Sequence, residues 1–311
     1  MISLDADAVR AALRFEVLIP ALRQAFRDGA QVPRRHSHAI SSKGQTGTSL
    51  LMPAWNDSGY YGVKIVNIFP RNAELGLPGL HSVYLLYDAR TGVPLAQIDG
   101  NEITSRRTAA AAALAASFLA RPDARSLFVL GTGRVARLLP AAFRAVRPIE
   151  RVAVWNRRSA SAHAFAQTLR DDGFDALATD NLSAASAGAD LISCATLATE
   201  PLMQGVWLRP GVHLDLIGSF TPAMKEAAPD CFAGAQTFVD TDEAPAKAGD
   251  LLDAFAAGSL TRESIVATLA ELCRGHHAGR LERDQVTIFK AVGTALEDLA
   301  AASLVYEMHR R

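Results

Sequence analysis

The chain has 311 residues, 49% of them hydrophobic and 21% charged, which suits a soluble globular protein with room for two domains and a sizeable core. Its 32 basic and 32 acidic side chains cancel, so it offers no electrostatic footprint for nucleic acid or an anionic membrane. Cys194, Cys231 and Cys273 are far apart without C-x-x-C spacing, the pattern of reduced, mostly buried thiols in a cytoplasmic protein. The opening MISLDADAVRAAL lacks the basic segment and apolar block of a signal peptide, and no uncharged apolar run approaches bilayer-spanning length. The histidine pairs His36/His38 and His276/His277 have no carboxylate or cysteine at zinc-like spacing, so no metal is expected.

Residues 4–30 carry Val9, Leu13, Val17, Leu22 and Phe26 near helical spacing and read as one or two amphipathic helices stopped at Gly29. The basic stretch Pro33-Arg34-Arg35-His36-Ser37-His38 follows, and then a flexible loop over 41–47 separates two short extended segments in a hairpin-like pattern. Strands are expected at 49–54, 60–70, 80–87 and 94–99, the last two joined through Asp88-Ala89-Arg90-Thr91-Gly92. The first hundred residues are therefore mostly antiparallel β. Lys64 interrupts an apolar strand in a chain with five lysines against 27 arginines. Such a lysine is costly unless paired or functional, because burial disfavours its charge. Arg34 and Arg35 read first as solvated surface residues, and His81 as a structural histidine among apolar neighbours. An alanine-rich helix is expected over 109–120, capped by Thr104 or Ser105, with Arg107 in its first turn. A cation there opposes the helix dipole unless it serves a bound carboxylate.

The strongest motif is SLFVLGTGRVAR, residues 126–137. Its uncharged run reads as a strand buried on both faces. Gly131-Thr132-Gly133-Arg134-Val135-Ala136 is then the G-x-G-x-x-A dinucleotide fingerprint: a tight turn, a backbone that a pyrophosphate can approach, and close helix–strand packing. A helical apolar face at 138–143 and a second buried strand at 151–155 complete a Rossmann unit whose helix N–H groups face the phosphates. An acid normally follows the second strand to receive the ribose of NAD. Here Asn156-Arg157-Arg158 stands there, and two guanidiniums favour a 2′-phosphate, so NADP(H) is expected over NAD(H). Helices at 162–169 and 183–187 and strands at 189–196, 211–219 and 237–240 continue the rhythm, with strand ends facing a cofactor crevice. From Leu251 the chain reads as mainly helical, ending in a long helix over 287–308 that could return to the first domain.

Met52-Pro53-Ala54, Lys64 before Val66-Asn67, residues 88–94, Arg107-Thr108-Ala109-Ala110, Gly131-Thr132-Gly133, Val154-Trp155-Asn156-Arg157, residues 196–201 and FKAVGTALED at 289–298 occur in order over nearly the whole chain. Together they resemble the ornithine cyclodeaminase/mu-crystallin family. The resemblance implies an α/β protein with a Rossmann NAD(P)-binding domain over 119–287. It also implies an α+β substrate-binding and dimerisation domain, formed by 1–118 with the C-terminal helix in 288–311, and a homodimer. Lys64 and Arg107 inherit catalytic places at the substrate, and Arg35 or, next, Arg34 a place on its carboxylate; His81 is a further substrate-binding candidate from the sequence itself. Thr108, Gly131, Thr132, Gly133, Arg134, Val135, Asn156, Arg157, Arg158, Thr196, Leu197 and Ser219 inherit the cofactor.

The departures bear on the reaction. Ornithine cyclodeaminases carry a glutamate two residues before M-P and an aspartate two residues after the glycine ending the late Rossmann strand. This chain has Leu50 and Phe220 in those places. Cyclodeamination needs groups to move protons on the amine, water and departing ammonia. What survives is simpler: a nicotinamide, a lysine beside the reacting carbon, and arginines for an α-carboxylate. The resemblance therefore implies an oxidoreductase acting on the C–N bond of a small amino or imino acid, either a ketimine or pyrroline-2-carboxylate reductase or an alanine-dehydrogenase-like enzyme. One alternative is cyclodeamination of ornithine to proline and ammonia with recycled NAD, with Asp215 or His81 replacing the missing acids. The other is a non-catalytic cofactor-bound binding protein, for which a lysine in an apolar strand has no use.

Overall fold

The computed structural model describes residues 1–310, except the side chain of Ala73, as two compact units: Met1–Arg107 with Thr294–Arg311, and Thr108–Gly293. In the first, β1 (Ile2–Leu4) leads into α1 (Ala6–Ala12), capped by the Asp5 carboxylate on the Ala8 N–H at 2.9 Å, and α2 (Phe15–Asp28). The helical face Phe15, Leu18, Ile19, Leu22 and Phe26 of α2 is buried. Next come β2 (His36–Ser42), β3 (Gln45–Trp55), β4 (Tyr60–Ile68), β5 (Leu80–Asp88) and β6 (Pro94–Asp99), an antiparallel meander to which β1 adds parallel to β6. The loop expected over 41–47 is tighter than that: only Lys43 and Gly44 turn between β2 and β3. In β4, Gly62, Lys64 and Val66 are buried on one face, while Tyr61, Val63 and Ile65 on the other are half-buried.

The following helix, α3 (Gly100–Leu119), begins earlier than the alanine run suggests. Asp99 accepts the Glu102 N–H at 2.7 Å and serves as the cap; the Ser105 hydroxyl donates back to the Asn101 carbonyl at 2.9 Å. Neither Thr104 nor Ser105 opens the helix. Arg107 therefore sits in the helix interior, and the dipole argument for it falls away.

The second unit contains β7 (Ser126–Leu130), α4 (Arg134–Arg144), β8 (Arg151–Trp155), α5 (Ser159–Asp171), β9 (Asp175–Ala178), α6 (Leu182–Gly188), β10 (Leu191–Cys194), β11 (His213–Leu216) and β12 (Gln236–Val239). After these come α7 (Ala244–Lys247), α8 (Gly249–Ala256), β13 (Ile265–Thr268), α9 (Leu269–Arg274) and β14 (Thr287–Lys290), before α10 (Ala295–Arg310) returns to the first unit. The eight strands form one parallel sheet in the order β13-β12-β14-β11-β10-β7-β8-β9, a doubly wound Rossmann-type arrangement. Its core includes Phe128, Leu130, Ile192, Leu214, Leu216 and Ile288.

Two strands, β9 and β13, were not expected, and residues 287–290 are not helical. Thr287-Ile288-Phe289-Lys290 is fully buried between β11 and β12. A strand covered on both faces shows no alternation, so periodicity cannot separate it from a buried helix. Because β14 pairs inside the second sheet, it belongs to the second unit, which runs on to Gly293. In the first unit, α10 packs on α1 and α2 and across β3, β4 and β5. Among the described residues no helix is long and apolar enough to cross a membrane, and no His/Cys/Asp/Glu cluster could hold a metal. The three cysteines are buried free thiols.

Candidate active site

Strand alternation in β4 delivers Lys64 to the buried face of its sheet, where it is 2% exposed. Its Nζ lies 2.7 Å from Asp298 Oδ2 and donates to Thr104 Oγ1 at 3.4 Å. Arg107, 6% exposed, reaches the same carboxylate from α3: Nε donates to Asp298 Oδ1 at 3.0 Å and Nη1 to Glu297 Oε2 at 2.5 Å. One carboxylate thus holds both cations, one on each oxygen, and Glu297 supplies the second negative charge. Burial pushes the Lys64 ammonium below its usual range and Arg107 adds to this, while Asp298 works against both. Burial alone would raise Asp298, but the charges of Lys64 and Arg107 prevail and hold it below the carboxylate range. Removing one partner would leave an enclosed charge uncompensated. In the sequence Asp298 is simply the last residue of FKAVGTALED, with nothing to mark its pairing to Lys64 and Arg107. The available signal was an adjacent acidic pair opening an otherwise largely apolar helix.

The other expected substrate residues lie elsewhere. Arg34 is exposed and Arg35 half-buried in the segment leading into edge strand β2, two strands from Lys64 in the sheet order. His81 is exposed and pairs with Asn67, three register steps from the Lys64/Tyr84 pair, so it projects from the opposite face. The structure therefore does not bring His81 to Lys64. Leu50 pairs with Val66 and shares the Lys64 face, so an apolar side chain stands where a cyclodeaminase has its acid.

In the second unit, Gly131 follows β7 at φ 113°, and a Cβ there would lie 2.5 Å from the Ala195 carbonyl oxygen. Only glycine fits this turn. Gly133 caps α4 without a side-chain hydrogen bond, and a Cβ on it would meet nothing within 4 Å. Packing within the protein does not explain that glycine; open ground before uncapped helix N–H groups fits the pyrophosphate of a dinucleotide. Thr132 and Val135 are half-buried and Arg134 is exposed around this turn, while Ala136 packs fully against the core. Past β8, Asn156 is half-buried, and Arg157 and Arg158 are exposed. Thr108 is half-buried in α3.

Beyond β10 and β11, a residue that sequence reasoning missed joins two loops. Glu226 is fully buried, and one of its oxygens accepts from the Thr196 N–H and hydroxyl at 2.6 and 2.8 Å. The other accepts from the Gly218 N–H at 2.6 Å. Leu197 is exposed beside this link. The Ser219 hydroxyl donates to the Met224 carbonyl at 2.5 Å and accepts from the Asp250 N–H at 3.1 Å. Its side chain is thus engaged within the protein. Asp215, weighed as a replacement proton handler, is enclosed in β11 against the Ser193 hydroxyl at 2.5 Å.

The doubly wound sheet with its open glycine turn defines a dinucleotide-binding protein of the Rossmann class. Residues 2–311 match the model of the ornithine cyclodeaminase/mu-crystallin family, and the chain belongs to that family. It is 38% identical over 284 residues to the Delta(1)-pyrroline-2-carboxylate reductase of Paracoccus denitrificans, a match covering 91% of this chain and 90% of that protein. Among solved structures it resembles the Thermococcus litoralis Delta(1)-pyrroline-2-carboxylate reductase in complex with NADH and L-proline. That similarity has a TM-score of 0.92 at 31% identity and covers 99% of this chain and 97% of the other. An archaeal alanine dehydrogenase dimer with bound NAD matches at a TM-score of 0.89 and 30% identity, covering 98% of this chain and 94% of the other.

Proposed function

We propose that this chain is an NAD(P)H-dependent reductase of small cyclic imino acids such as Delta(1)-pyrroline-2-carboxylate, reversible as an amino-acid dehydrogenase. The observation that carries the reading is the enclosed Lys64–Asp298–Arg107 cluster on a face where Leu50 replaces an acid. The Gly131-Thr132-Gly133 turn and the start of α4 would hold the nicotinamide dinucleotide, which would supply hydride chemistry for the C=N bond. The remaining work falls to the chain. Arg107 holds the α-carboxylate, and Lys64 places a proton on the ring nitrogen, so C=N becomes CH–NH. Asp298 favours the ammonium form and points it, and the enclosed site excludes water. The names of the Paracoccus and Thermococcus proteins point to the same substrate.

Ornithine cyclodeamination is disfavoured because both stand-ins for the missing acids are badly placed: His81 leaves from the wrong face and Asp215 is enclosed within a sheet. The exposed Arg157 and Arg158, with no acid after β8, support NADPH over NADH. The first unit is assigned to substrate and the second to the dinucleotide. A homodimer is supported by the outer face of the first sheet, where the cross-strand rows Trp55-Tyr61-Tyr87 and Pro53-Val63-Leu85 present apolar side chains that are only partly covered. A second copy offering the same rows is the partner that matches this face.

The test is to follow NADPH and NADH absorbance with Delta(1)-pyrroline-2-carboxylate, alongside NAD with ornithine and an ammonia assay. Imine-dependent oxidation, faster with NADPH and without ammonia from ornithine, is expected. Ammonia and proline from ornithine would overturn the reading.

A further inference from the structure

Tyr84 stands directly across from Lys64 in the β4–β5 register. It is 0% exposed, and its phenol oxygen has no hydrogen-bond partner. The ring leans over β4: a Cβ on Gly62 would lie 2.2 Å from that oxygen, so the glycine is what makes room for it. Gly62 belongs to the buried face that also carries Lys64. The hydroxyl therefore sits over Gly62 on the face of the candidate catalytic lysine, and the Gly62 backbone is about 7 Å along the strand from that of Lys64, as expected for two residues of extended chain.

A hydroxyl taken out of water and given nothing in return destabilises a fold, and phenylalanine would fill the same space without that cost. This chain keeps the oxygen and gives up a side chain at position 62 to admit it. Burial, then the charge of Asp298 and then Tyr61 raise the phenol well above its ordinary range, so the group remains a neutral hydroxyl. A neutral hydroxyl both donates and accepts. It can accept from the N–H of a protonated imine and donate to the lone pair of the amine product, whereas a charged group suits only one of the two.

We propose that Tyr84 is a further substrate-contacting residue, whose hydroxyl completes its hydrogen bonding on the nitrogen of the bound imino or amino acid beside Lys64. The proposal rests on the reading of the Lys64 face as the substrate site. Burial does not argue against it, because Lys64 is almost equally enclosed.

The test is Tyr84→Phe in the full chain. Expected are a fall of about tenfold in kcat/KM for Delta(1)-pyrroline-2-carboxylate, an unchanged KM for NADPH, and a melting temperature equal to or above that of the wild type. The opposed movement of activity and stability is the signature, since a structural hydrogen bond would lower both. Equal kcat/KM in variant and active wild type overturns the proposal alone. A lowered melting temperature also overturns it, because the hydroxyl is then bonded within the protein. A wild type that does not turn over the imine defeats the functional reading, and this proposal with it.

Discussion

Burial pushes the Lys64 ammonium towards the neutral amine, and Asp298, 2.7 Å away, is the main charge that works against it. As the proposed proton donor, Lys64 has to be protonated, so activity should decline as pH rises through its lowered pKa. Asp298→Asn removes the charge that counteracts burial, and the alkaline limb of the kcat/KM profile should move to lower pH, with activity down tenfold or more. A limb that stays in place would detach Asp298 from the mechanism. Lys64→Ala should lower kcat by about 100-fold or more with NADPH binding intact; unchanged turnover removes the lysine from the chemistry. Both cations were legible in the sequence, because a lysine in an apolar strand and an arginine beside an alanine run are conspicuous. Asp298 was not legible: its meaning lies in a pairing 191 residues away from Arg107.

Single elements carry the proposed dinucleotide site of the second unit. Open α/β sheets bind ligands beyond the carboxyl ends of their strands, and the loops after β10 and β11 are joined there by Glu226. Glutamine at this position has one acceptor oxygen where three donors converge, and its amide nitrogen must face a donor. Glu226→Gln should therefore weaken NADPH binding about tenfold by fluorescence titration, and an unaltered affinity would show the link to be idle. Gly131→Ala should lower stability by roughly 1–3 kcal/mol, read as a drop in melting temperature, because the turn requires a positive φ and contact with Ala195. The glycine turn was readable because its spacing encodes backbone chemistry. The central strand β14 was not, because burial on both faces removes the alternation that marks a strand.

Over the whole molecule, two buried groups in β11 oppose each other with pH. Burial, followed by the charges of Arg280 and Arg147, pushes His213 down to about 3, so its contribution to stability is present above about 6.5 and is lost as pH falls. Burial pushes Asp215 up to about 7. The fold holds that proton where the unfolded chain has released it, so the contribution is complete below about 4 and lost as pH rises through 7. Asp215→Asn keeps an acceptor for Ser193 and cannot ionise. Its stability relative to wild type should climb between pH 4 and 7, by on the order of 2–4 kcal/mol, and then level off; a constant difference in urea unfolding would refute this. The alternating rhythm revealed the doubly wound unit, whereas the apolar rows of the first sheet acquire meaning only once register places them side by side. Val63→Asp should abolish the proposed dimer in sedimentation.

The first unit is discontinuous, and the second is one unbroken stretch, Thr108–Gly293. During synthesis, Lys64 and Arg107 leave the ribosome long before the helix that neutralises them, while the second unit has every strand of its sheet before α10 is made. A nascent chain can thus assemble its dinucleotide half first and must hold the other half open until Glu297 and Asp298 arrive to meet the two cations. The closing of the proposed catalytic cluster therefore waits on translation of α10: a chain interrupted before it carries Lys64 and Arg107 without the carboxylates that neutralise them.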